Sequence, residues 1–153
     1  MRRFTALFLA PAMLAACQPA STGAEDGAPV LSYENAYIMA PIGGRDVSVG
    51  GISISVEGGD VTLTGASSDI AETVETHTMA MDEGTMKMRP VESYELKAGD
   101  TLVFERGSDH LMLFGVDQNI ASGDTANITF NFETTDGEAL TLDAAADIRA
   151  MGE

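Results

Sequence analysis

The chain is short of thiols, of positive charge and of long apolar runs, and each shortage removes a class of function. It has one cysteine, Cys17, in 153 residues. Eight Lys and Arg stand against 24 Asp and Glu, a formal charge of −16. So acidic a surface repels phosphate backbones and argues against nucleic-acid partners. No Gly-x-Ser-x-Gly elbow, P-loop or dinucleotide fingerprint occurs, and no cysteine nucleophile lies beyond residue 17, so the chain is not expected to be an enzyme. The one sustained apolar run, Phe4 to Leu14, is shorter than the roughly 20 residues that span a bilayer. Tryptophan is absent and histidine occurs twice. A hydrophobic content of 44% nonetheless indicates a folded chain, one domain in size.

The apolar run has a use of its own. Arg2 and Arg3 precede it, and Leu14-Ala15-Ala16-Cys17 closes it, so residues 1–16 read as a signal peptide. The closing tetrad resembles the bacterial lipobox, which implies a lipidated Cys17 at the mature N-terminus. Acyl chains contributing about 0.8 kcal/mol per buried methylene would anchor the chain to a membrane. Gln18 after the cysteine points, in the enterobacterial pattern, to the outer membrane. Residues 17–32 read as this cysteine with a flexible linker, and residues 33–153 as the domain. With Cys17 acylated, disulfides and the cysteine ligand of a blue-copper site are both unavailable.

Within the domain, short segments alternate apolar and polar residues between Gly- and Asp-bearing turns. They include 36–39, 47–56, 61–64, 74–81, 85–91, 94–97, 101–105, 110–112, 126–132 and 139–142. No helix is expected, and residues 143–151 carry no signal. An antiparallel β-sandwich follows.

The chemistry concentrates in ETHTMAMDEGTMKMRPV, residues 75–91, and in Asp109-His110-Leu111-Met112. Both histidines and five of the nine methionines lie there. Asp82-Glu83-Gly84 predicts a hairpin that sets His77, Met79 and Met81 on one face, with Met86 and Met88 sharing a face of the returning strand. His110 and Met112, two residues apart, also share a face. Imidazole with thioether and no thiolate suits monovalent copper better than zinc, calcium or magnesium. Ten residues separate His77 from Met88, twenty-one separate Met88 from His110, and one separates His110 from Met112.

That spacing resembles the PCuAC family of periplasmic copper chaperones, whose pattern is H(M)-x10-M-x21-H-x-M. The run Met79-Ala80-Met81 through Gly84 to Met86-Lys87-Met88-Arg89-Pro90-Val91 resembles the family's text too. The likeness covers residues 33–145. It implies a cupredoxin-like β-sandwich or barrel, and Cu(I) ligands at His77, Met88, His110 and Met112. It also implies delivery of copper to the copper-centre subunit of cytochrome c oxidase, alongside Sco-type proteins, in the periplasm. The parenthesised methionine falls on Thr78, and Met79 stands one place later. Met79, Met81 and Met86 are therefore expected as accessory ligands, as shielding or as core. Glu75, Asp82, Glu83 and Asp109 read as solvated turn residues, with Asp109 or another of them orienting an imidazole. Two other readings are open: a zinc or copper(II) site of the histidines with carboxylates, for buffering or resistance, and a metal-free structural β-sandwich lipoprotein.

Overall fold

A computed structural model describes residues 27–151; the signal segment and Cys17 lie outside the described residues. Ten strands follow one another with no helix among the described residues. They are β1 (Val30–Met39), β2 (Val47–Glu57), β3 (Val61–Ser68), β4 (Ala71–Asp82), β5 (Thr85–Pro90), β6 (Tyr94–Leu96), β7 (Thr101–Phe104), β8 (His110–Phe114), β9 (Thr125–Thr134) and β10 (Ala139–Arg149). The neighbours run β4-β8-β2-β1-β10-β9-β3, and β3 pairs back onto β4, closing a barrel. β5, β6 and β7 are appended to β4, β3 and β2. Closure leaves the ring itself with no open edge.

Alternation along each strand fills the interior. Ile52, Ile54 and Val56 of β2, Leu111 and Leu113 of β8, and Ile128, Phe130 and Phe132 of β9 all point inward and are buried. Phenylalanine and leucine burial at about 1.5–3 kcal/mol each makes this cluster the chief source of stability.

Two segments depart from the sequence reading. β1 begins at Val30, inside the stretch read as linker, because Val30, Leu31 and Ser32 pair with Glu57, Val56 and Ser55. β10 runs on through residues 143–149, where no signal was legible, with Ala144, Ala146 and Ile148 buried. Alanine has little strand preference of its own, so pairing imposes the conformation. Antiparallel bonds to β9 hold one side of β10, and a parallel pairing of Asp147–Arg149 with Tyr37–Met39 holds the other. That last pairing is the one exception to an antiparallel barrel.

Tyr94 sits edge-on to Phe104, with ring centroids 5.4 Å apart. Burial pushes its hydroxyl up to about 12, and the Asp109 carboxylate adds to the rise. The neutral phenol is thus favoured by folding. The stability it contributes is fully present below the unfolded value of about 10 and is lost as pH rises towards 12. Tyrosinate absorbance should therefore show Tyr94 ionising at higher pH in the folded chain than after unfolding.

Candidate metal centre

The site is built on the outer face of three neighbouring strands, β5-β4-β8. On β4, Val74 and Thr76 point into the barrel, so Glu75, His77 and Met79 point outward. On β8, Leu111 and Leu113 point in, so His110, Met112 and Phe114 point out. Register then decides which of them meet. His77 lies directly opposite His110, and Glu75 opposite Met112. Across the other edge of β4, His77 faces Pro90, Met79 faces Met88 and Met81 faces Met86. The sequence-predicted residues therefore share one surface. The imidazole pair is central, Met112 is displaced along the strands to one side, and Met88 is displaced towards the hairpin tip on the other.

The two imidazoles are close and their ring centroids lie 6.0 Å apart, at 47° to one another. His77 also packs against Phe114 at 6.5 Å. Each ring has one nitrogen fixed. His77 Nε2 meets Glu75 Oε2 at 2.8 Å, and His110 Nδ1 meets the Ser108 carbonyl at 2.8 Å. Both partners are acceptors only, so each ring must present N–H to them. The lone pairs are left on His77 Nδ1 and His110 Nε2. Both atoms are buried and have no hydrogen-bond partner. An unsatisfied buried nitrogen costs about 1–3 kcal/mol, and two on facing rings need a reason. A free imidazole lone pair is also a metal donor.

One of the four flanking acids does orient an imidazole, as expected, but it is not Asp109. Glu75 is a strand residue that fixes His77, and a backbone carbonyl rather than Asp109 fixes His110. Glu75 was legible because its place two residues before His77 puts both on one strand face. The Ser108 carbonyl was not, since a main-chain oxygen leaves no mark on residue type. Phe114 was reachable by extending the alternation from His110.

The methionines are not core. Met81 is 67% exposed, Met86 and Met88 are each 48% exposed, and Met79 and Met112 are half-buried. Beyond His77, β4 pairs only with β5, so the hairpin overhangs the barrel. Its turn, Glu83 at φ 49° and Gly84 at φ 81°, has the left-handed pair of a type I′ hairpin. The face away from the methionines carries Asp82, whose carboxylate accepts from Lys87 at 2.9 Å and Arg89 at 2.7 Å. The hairpin is amphipathic in an unusual sense, soft sulfur on one side and fixed charge on the other.

Among the described residues no group of three or more His, Cys, Asp or Glu side chains converges to hold a metal. The hard-ligand site open on sequence grounds therefore lacks its carboxylates: Glu75 is already engaged and Asp82 faces the other way. Met88 and Met112 flank the imidazoles instead. Glu75→Gln should leave the fold intact and weaken metal binding about tenfold, the lower end for loss of an orienting partner, because Glu75 is itself 46% exposed. Competition against a chelator measures this directly.

A family model described as LpqE-like, a lipoprotein family, matches residues 31–145. No curated protein matches by sequence. Similar solved structures include the copper-bound PCuAC domain from PmoF2, 18% identical, with a TM-score of 0.58 over 78% of this chain and 92% of that one. Apo-DR1885 from Deinococcus radiodurans is 25% identical, with a TM-score of 0.56 over 100% of this chain and 99% of that one. CuI-DR1885 from the same organism is 25% identical, with a TM-score of 0.56 over 91% and 88%. The barrel is thus cupredoxin-like, as the PCuAC resemblance implied. PCuAC domains share its fold, and a family match over nearly the whole barrel settles the lineage: the chain belongs to the LpqE-like family.

Proposed function

We propose that the chain is a copper(I) chaperone of the bacterial cell envelope, holding one ion between His77 Nδ1, His110 Nε2 and the thioethers of Met88 and Met112. The observation that carries the reading is the pair of buried, unpartnered imidazole nitrogens on directly opposed residues. Copper(I) is a d¹⁰ ion with little geometric demand, so two imidazoles and two thioethers satisfy it. Thioethers carry no proton at any pH, whereas imidazole binds metal in its neutral form.

Exposure supports transfer over storage. The half-exposed Met88 stands on an overhanging hairpin, where a partner's ligand can displace its sulfur before the histidines let go. Met79, Met81 and Met86 extend the soft surface towards the tip and serve as transient stations. The recipient in this reading is the copper-centre subunit of cytochrome c oxidase or a Sco-type protein. Cys17, acylated, holds the chain to a membrane facing the periplasm. A metal-free structural role would leave two buried nitrogens unsatisfied with no return.

The test is a competition titration of the reduced protein against a chromogenic copper(I) chelator, beside Met88→Leu/Met112→Leu. Wild type should take one equivalent, and the double variant should lose about tenfold or more in affinity while its fold is unchanged. Equal affinity of the two would remove the thioethers from the site. A deletion strain at limiting copper should be deficient in the oxidase copper centre, and mass spectrometry of the membrane-extracted chain should find an acylated Cys17.

A further inference from the structure

The copper face does not stop at β8. β2 is the next strand, and its outward Val49 and Val47 lie opposite Met112 and Phe114. Past them the surface sinks into a hollow of about 260 Å³. Its walls include Met39, Ile42, Val47 and Met151, and Arg45 and Arg106 border it. Ile42 is 51% exposed and Met151 53% exposed, so the hollow opens to solvent through apolar groups.

Its two arginines stand out against the rest of the charge. Arg2 and Arg3 lie outside the described residues. Lys87 and Arg89 are bonded to Asp82, Lys97 is bonded to Asp60 at 2.9 Å, and Arg149 lies 4.7 Å over the Tyr37 ring. Arg45 and Arg106 are left, both exposed and neither in an ion pair among the described residues. In a chain of net charge −16, the unpaired cations gather at one apolar hollow beside Met112.

We propose that this hollow is the docking point for the protein that exchanges copper with this chain. It takes an apolar side chain of an acidic segment, whose flanking carboxylates pair with Arg45 and Arg106. The inference rests on the copper-chaperone reading and adds the partner's chemistry to it. Electrostatics favours this occupant: an acidic segment is repelled by most of the surface and attracted at one place, which fixes orientation as well as position. Continuity favours it too, because a segment seated here lies one strand from Met112.

The experiment uses the full chain in detergent, labelled with ¹³C in its methionine methyl groups. It is titrated with a synthetic peptide of alternating Glu and Leu, with the Lys/Leu counterpart, with octanoate and with phosphatidylglycerol vesicles. The Glu/Leu peptide should shift Met39, Met151 and Met112 while leaving Met81 in place. Arg45→Glu/Arg106→Glu should weaken that binding roughly tenfold or more without changing copper stoichiometry. No shift, or equal shifts with the Lys/Leu peptide, overturns the proposal. A response to octanoate at concentrations where the peptide gives none makes the hollow a small-amphiphile site instead, and a response to vesicles alone makes it a membrane contact. Because the peptide is added to the metal-free chain, its failure is separate from any failure to bind copper.

Discussion

His110→Leu should abolish tight copper(I) binding and yet leave the metal-free protein as stable as before, or more so. The loss should exceed about 100-fold, beyond what removal of an orienting partner costs. The stability change has the opposite sign for a local reason. His110 is 3% exposed, and its Nε2 finds no partner. Leucine fills similar space without the unsatisfied nitrogen, relieving about 1–3 kcal/mol. The carbonyl that loses its donor belongs to the exposed Ser108, where water can replace the bond. Thermal melts of the two apo proteins, beside the copper titration, decide it. A large fall in apo stability would mean that the imidazole is structural, and the metal assignment would lose its strongest support. Sites that trade stability for chemistry behave in the predicted way.

One residue further on, the expectation reverses. Leu111→Ala should lower stability by about 2–5 kcal/mol, or about 10 °C in melting temperature for a domain of this size. Leu111 has no exposed surface, faces the barrel interior, and is paired with Gly50 on one side and Thr76 on the other. Glycine on β2 leaves no side chain to close the resulting cavity. The same residue separates His110 from Met112, so copper affinity should also fall as both outward groups lose their support. A melt and a titration of one preparation read both effects. Together, His110→Leu and Leu111→Ala divide the strand into an outer face that binds and an inner face that holds.

That division explains which parts of the molecule the chain announces. The His and Met spacing and the hairpin of residues 74–91 were legible because strand period and turn chemistry act locally: Glu83-Gly84 can supply two left-handed residues, and His77 and Met79 must then share a face. The meeting of His77 with His110 was not legible by period alone, because it depends on register between strands thirty residues apart. The PCuAC resemblance anticipated it. β10 was missed for a related reason. Ala144, Ala145 and Ala146 carry no strand preference; long-range pairing to β9, joined from Asp147 onward by pairing to β1, makes them part of a strand. Neither could the methionines declare their exposure. A period-two apolar row usually marks a buried face, and here it overhangs the barrel in solvent.

The overhang has one more consequence. β5 ends the hydrogen-bonded path, so its outer edge is an open row of backbone groups beside exposed methionines. Such an edge invites a strand from a second copy to extend the sheet. Lys87, Arg89 and Pro90 occupy that strand within four residues. Two like charges repel an identical strand, and proline offers no N–H to it. The lysine and arginine that grip Asp82 therefore also guard this edge against pairing with a second copy.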